Sequence, residues 1–306
     1  MGMILALAPM QDVTDLAFMR TLARIGSLPD FFVTPYFRST STTCALAEEN
    51  LRMIRENETG CPIHAQLAGS DAAALVRDAQ ELLKLPVAGI NLNAGCPSPL
   101  VNRHGAGAAL LRDMDNFREV LLRLRDAVPE GKFSVKCRLG WRDEAEFEGI
   151  LALLAEVRPD LVTVHLRTRA DLYGGKPRWH AAAKAVQALP CPVLVNGDMQ
   201  THESVLRTME AAECAGVMLG RGAVRNPYLF RVIRGGAAPT KEEMSTYYET
   251  LIEETGRILH EDATQAAHCN RMKKYLAFCY PDFADGEEYV LRRCIDIAQM
   301  RAILTR

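Results

Sequence analysis

Between residues 4 and 231 the chain passes eight times from a short apolar run to a longer amphipathic one. The apolar runs lie at 4–8, 31–34, 62–67, 88–93, 133–138, 161–165, 192–196 and 216–219. Each is apolar along most of its length, as a strand covered on both faces must be. Helical spacing follows at 14–25, 43–55, 71–83, 115–128, 144–156, 179–188 and 201–211, then in short turns reaching 231. Thr14 is the expected cap of the first helix, and Ser70 or Asp71 that of the third. Eight such units predict a closed (β/α)8 TIM barrel rather than an open sheet. The run Arg-Gly-Gly-Ala-Ala-Pro at 234–239 breaks the alternation. Helical spacing then returns at 241–262, 264–278 and 286–304, which predicts three helices. The expected organisation is a barrel over 1–235 and a small all-helical C-terminal domain over 236–306.

Composition narrows the setting. The 306 residues are 48% hydrophobic and 24% charged, as in a soluble globular chain. No run approaches the ~18 apolar residues of a membrane span. The N-terminus lacks the basic region and cleavage site of a signal peptide, and Ala6 stands where a myristoylation motif wants Ser or Thr. A cytoplasmic monomer with no membrane partner is expected. The nine cysteines include no Cys-x-x-Cys pair, so no metal site is expected, and their odd number argues against a disulfide scaffold. A net charge of −2 gives no global sign of nucleic acid, so RNA binding would rest on a local patch.

In such a barrel the C-terminal ends of the strands carry the site. Here those ends hold Pro9, Met10 and Gln11, then Gln66, then Asn93 with Cys96 just beyond. Lys136 and Arg138 follow on the fifth strand, and His165 with Arg167 on the sixth. The last two ends carry Asn196-Gly197-Asp198 and Gly220-Arg221-Gly222. So many polar groups are costly to leave unpaired in one barrel mouth. The glycines and Arg221 suit a phosphate. Lys136 fits a Schiff-base amine, a buried ion pair, or a cation beside an electron-rich ring. His165 fits either the ring, a phosphate, or a hydrogen-bonded core. Cys96 fits a nucleophile, an acid, a metal ligand or a spectator.

Taken together and in order, the motifs resemble the dihydrouridine synthases, flavoenzymes that reduce uridines in transfer RNA. The matching stretches begin with Leu7-Ala8-Pro9-Met10, Val13-Thr14-Asp15 and Gln66-Leu67-Ala68-Gly69. They continue with Asn91-Leu92-Asn93-Ala94-Gly95-Cys96-Pro97, Val101-Asn102 and Val135-Lys136-Cys137-Arg138-Leu139-Gly140-Trp141. The series closes with His165-Leu166-Arg167-Thr168, Val195-Asn196-Gly197-Asp198 and Gly220-Arg221-Gly222-Ala223, and extends to His268 and Arg271–Leu276.

The resemblance implies FMN in the barrel mouth and NADPH or NADH as reductant. It places Pro9, Met10 and Gln11 against the ring, and Gln66 and Lys136 at its polar edge. His165, Asn196, Gly197, Asp198, Gly220 and Arg221 would hold the ribityl phosphate end. Asn93 would bond the target uracil, and Cys96 would give C5 a proton after hydride reaches C6. A thiol, with an ordinary pKa near ~8.5, stays mostly protonated at neutral pH and suits that task. The target would be a D-loop uridine, taken out of its stack.

The tail, net acidic over 237–306, would hold the RNA on one face. Arg38, Arg271 and Lys273 match positions at which the C-type bacterial subfamily meets transfer RNA. The chain departs from the family at Asn91 and Ala94, at Thr34-Pro35 after the second strand, and at 103–108. These departures bear on substrate more than on flavin. The competing expectations are an FMN barrel reductase of a free pyrimidine or enone, an aldolase using Lys136, and a silent RNA-binding protein.

Overall fold

A computed structural model describes residues 2–42, 44, 46–260 and 262–306. The strands are β1 (Ile4–Leu7), β2 (Phe31–Val33), β3 (Phe37–Arg38), β4 (Ile63–Ala68) and β5 (Gly89–Ala94). They continue as β6 (Phe133–Arg138), β7 (Leu161–His165), β8 (Val193–Asn196) and β9 (Gly216–Leu219). All pairings are parallel, in the order β2-β1-β9-β8-β7-β6-β5-β4-β3. A further pairing of β2 with β4 closes the ring, so the eight main strands form the expected TIM barrel. The two-residue β3 was not expected. Pro35 ends β2, and the chain rejoins β4 two residues later, with Phe37 opposite Leu67.

The helices on the outside are α1 (Leu16–Arg24), α2 (Glu48–Arg55), α3 (Ala72–Leu82), α4 (Pro99–Asn102), α5 (Met114–Ala127), α6 (Phe147–Val157), α7 (His180–Ala188), α8 (His202–Ala212), α9 (Arg221–Arg225) and α10 (Leu229–Ile233). The expected start of the second helix at Thr43 lies outside the described residues. The cap of α1 is Asp15, whose carboxylate accepts from the Phe18 N–H at 2.9 Å. Thr14 instead bridges the loop before it, accepting from the Met10 N–H at 2.7 Å and donating to the Ala8 carbonyl at 3.1 Å. Asp71 caps α3.

Most of the apolar core lies between the strands and the surrounding helices, while Ala6, Ala8, Val33, Leu194 and Met218 form a small separate cluster. Gly216 is demanded by the close approach of β1, because a Cβ there would sit 2.0 Å from the Ile4 carbonyl oxygen.

The tail contains four main helices rather than three: α11 (Lys241–Ile258), α12 (Gln265–Leu276), α13 (Asp285–Arg293) and α14 (Ile297–Leu304). The expected single helix at 286–304 divides because Asp296 turns its carboxylate onto the N–H groups of Ala298 and Gln299 and starts a new helix. The tail packs against the barrel through α11 on α1, where Arg24 meets Glu253 at 2.7 Å and the buried Glu254 at 3.0 Å. Tyr275 on α12 stacks on Phe18, with centroids 6.2 Å apart, and its hydroxyl donates to Asp15 at 2.7 Å. Arg271 pairs with the same carboxylate and is partly buried at the joint. Among the described residues no helix is long and apolar enough to cross a membrane.

Candidate active site

The parallel register sets the site. It places Gln66 opposite Asn91, Asn93 opposite Lys136, Arg138 opposite His165, and His165 opposite Asn196. These side chains therefore converge around a cavity of about 680 Å³ at the C-terminal mouth of the barrel. All eleven residues expected to hold the cofactor line it, as do Asn93 and Cys96. Arg38, Arg271 and Lys273 do not line it. Arg38 is exposed on β3, Lys273 lies half-buried on α12 beside Asn270, and Arg271 points inward to Asp15.

One wall is a chain of amides. The Asn93 Nδ2 donates to Gln66 Oε1 at 2.8 Å, and Gln66 Nε2 donates to Asn91 Oδ1 at 2.7 Å. The Asn91 Nδ2 then donates to Ser134 Oγ at 2.8 Å. The Oδ1 of Asn93 accepts from the N–H groups of Gly95 and Cys96, at 3.0 and 2.9 Å. The departure at Asn91 thus keeps the wall connected without a carboxylate. Each of Gln66 and Asn93 retains a second amide N–H beyond this chain.

The adjoining strand β6 is cationic. Lys136 stands over the cavity, and burial lowers its amine to about 8. Arg138 is buried and donates to the carbonyls of Gly95, Thr168 and Leu172 at 2.7–2.8 Å. Burial lowers it to about 10, which leaves it charged at neutral pH. His165 is held far below its ordinary range by burial and then by the charges of Lys136 and Arg138, so its ring is neutral. Asp198 bridges Arg167 and Arg221. Its carboxylate therefore orients two guanidinium groups, a role distinct from direct anion binding.

Two buried nitrogens test whether an anion fits: Nδ1 of His165 and Nη1 of Arg167 have no partner in the protein. The buried Arg167 N–H wants an acceptor, and Nδ1 of the neutral His165 ring can donate in one of its two tautomers. Gly222 gives close backbone approach, because a Cβ there would lie 2.3 Å from the Met199 carbonyl oxygen. Phosphate, with the polar edge of a flavin ring further along, suits these donors.

Arg138, expected at the strand ends without an assigned role, also lines the cavity, and so do Tyr36, Tyr173 and Phe278, which were not among the expected site residues. Tyr173 and Phe278 lie in a loop and in the tail, where no spacing points at the mouth. A cavity at strand C-termini with buried cations and unpaired donors defines a barrel enzyme that binds an anionic ligand.

Comparison with known proteins specifies the class. The family described as Dihydrouridine synthase (Dus) matches residues 6–300. A tRNA-dihydrouridine(16) synthase of Haemophilus ducreyi is 34% identical over 292 residues, covering 91% of this chain and 88% of that protein. The same-named protein of Ralstonia nicotianae is 31% identical, covering 98% and 94%. The tRNA-dihydrouridine synthase B of Pseudomonas aeruginosa is 34% identical, covering 81% and 76%. The old yellow enzyme homologue from Zymomonas mobilis shares the fold, with a TM-score of 0.55 at 12% identity over 80% of this chain and 91% of that one. The chain belongs to the dihydrouridine synthase family.

Proposed function

We propose that the protein is a cytoplasmic, monomeric, FMN-dependent synthase that reduces a D-loop uridine of transfer RNA to 5,6-dihydrouridine. The barrel of 1–235 is the catalytic domain and 236–306 the RNA-facing one. Position 16 is the favoured target, since the relatives above named for it match over most of their length. The observation that carries the reading is the convergence of Cys96, the Gln66 and Asn93 amides, Lys136 and the unpartnered ring nitrogen of His165 on one cavity. FMN held there would supply hydride for uracil C6, with NADPH or NADH as the reductant.

Pro9, Met10 and Gln11 form the surface against the ring. Gln66 and Lys136 meet its polar edge, and His165, Asn196, Gly197, Gly220 and Arg221 close on the phosphate end. The free amide N–H of Asn93 faces the uracil carbonyl. Lys136, rather than forming a Schiff base, supplies positive charge where the reduced ring is electron-rich. Cys96 holds the proton that passes from Sγ to C5. The decisive experiment is mass spectrometry of transfer RNA incubated with the purified protein, flavin and reductant; dihydrouridine at one position is expected, and its absence overturns the reading.

The lowered Lys136 amine has a pH consequence. Below about pH 8 the amine is charged, and above it neutral. Flavin affinity is expected to weaken as pH rises through about 8, and Lys136→Met to flatten that dependence. Fluorescence titration of the flavin from pH 6.5 to 9 measures both curves. The stability term runs the other way: the folded state prefers neutral lysine, so stability of the flavin-free protein rises between about 8 and the ordinary lysine value.

RNA contacts remain with the exposed Arg38 and the half-buried Lys273. Arg38→Glu and Lys273→Glu are each expected to weaken transfer RNA binding and to lower the slope of log affinity against log salt by about one. Arg271 is unsuited to this test, because its charge is already committed to Asp15. Filter binding over a salt series gives the slope, and an unchanged slope removes that residue from the interface.

A further inference from the structure

We infer that Asn102 is a positioning residue for Cys96, and that Arg169 holds Asn102 in the required orientation. The inference rests on the reading of Cys96 as proton donor. Asn102 ends α4, is 7% exposed and does not line the cavity. Its Nδ2 donates to the Cys96 carbonyl at 2.8 Å and to the Ala106 carbonyl at 3.0 Å. The Ala108 N–H donates to the same Cys96 carbonyl at 3.0 Å. On the other side, the Cys96 N–H is held by Asn93 and the Gly95 carbonyl by Arg138. The backbone of the acid is thus bonded in both directions, and the side-chain torsions of Cys96 are what remain to move Sγ.

The amide of Asn102 works in one orientation only. Reversed, it would set its oxygen against two carbonyl oxygens. Arg169 fixes the choice, with Nε donating to Asn102 Oδ1 at 3.1 Å. Arg169 is itself seated: its N–H donates to the Gly140 carbonyl at 2.8 Å, and its guanidinium lies 4.4 Å from the centre of the Trp141 ring. The segment wraps so closely that a Cβ on Gly107 would sit 2.9 Å from the Cys96 carbonyl oxygen. Loops following β5, β6 and β7 therefore meet at the peptide of one cysteine, and Asn102 is the joint.

The test uses flavin-loaded Asn102→Asp, which keeps the shape and replaces the donor by an acceptor. With transfer RNA lacking dihydrouridine, kcat is expected to fall about 100-fold, the effect of a small misplacement of a reacting group. KM for the RNA and flavin content are expected to stay at wild-type values, because Asn102 touches neither ligand; Tm is expected to fall, since an acceptor then faces two carbonyl oxygens, and kcat is measured well below it. Arg169→Met, which keeps Asn102 but frees its amide, is expected to lower kcat about 10-fold in the same way, and it decides the matter if Asn102→Asp does not fold. A wild-type kcat in the folded variant, a raised KM at unchanged kcat, or a fall in kcat that only tracks lost flavin or the fraction of folded protein overturns the inference. Cys96→Ala in parallel separates the two levels. If it is inactive while Asn102→Asp is fully active, the positioning role fails alone; if Cys96→Ala is fully active, the acid assignment beneath it fails.

Discussion

Cys96→Ala is expected to lower uridine reduction by about 10²–10⁴-fold, the range for loss of a placed general acid, while the protein keeps its flavin. Cys96 lines the cavity and is only partly buried, yet its thiol takes no part in the hydrogen bonds that hold its peptide. Among the described residues no histidine or carboxylate is hydrogen-bonded to its thiol, so it lacks the general base of a base-activated nucleophile. The flavin donors lie on other strands, and removing a sulfur leaves them where they are. Dihydrouridine formed per turnover, read by mass spectrometry, gives the rate, and the visible spectrum of the purified variant gives the flavin content. A variant that reduces uridine at the wild-type rate ends the assignment.

The second large effect is structural. Asp15→Ala is expected to destabilise the protein by about 3–5 kcal/mol, as breaking a buried ion pair does when one charge is left behind. Three partners depend on this carboxylate: the first turn of α1, the hydroxyl of Tyr275 and the guanidinium of Arg271. Without it Tyr275 would stay buried and Arg271 largely so, the latter with its charge unpaired by Asp15. Urea unfolding monitored by tryptophan fluorescence measures the loss, and a change within ±0.5 kcal/mol, the ordinary range for a surface substitution, would mean that the joint between tail and barrel is held elsewhere. Asp15 also lies at the foot of the loop bearing Met10, which Thr14 ties down. Its removal should therefore weaken flavin binding as well as stability.

The barrel was legible because each strand is an apolar run with a turn signal behind it, and the mouth was legible because parallel strands all end on the same side. What escaped was set by partners distant in sequence or by single residues acting as punctuation. Arg271 reads as an exposed helix cation until Asp15, 256 positions away, comes to face it. Asp198 reads as a phosphate-end residue until Arg167 and Arg221 close on it from two other strand ends. Asp296 reads as part of one long helix, although its carboxylate starts a second. Thr14 and Asp15 are both good caps, and only the bond from Met10 to Thr14 leaves the helix to Asp15. Asn91 read as a loss of charge, whereas the structure shows an amide donating onward to Ser134.

That amide wall has a consequence for turnover. From Asn93 through Gln66 and Asn91 to Ser134, every bond is donated by an amide, and no amide in it ionises near neutral pH. Such a wire fixes orientation but cannot conduct a proton. If Sγ gives its hydrogen to the substrate as proposed, this wall does not return it, and the open end of the barrel is the route by which water would. Recharging the acid would then be tied to release of the product.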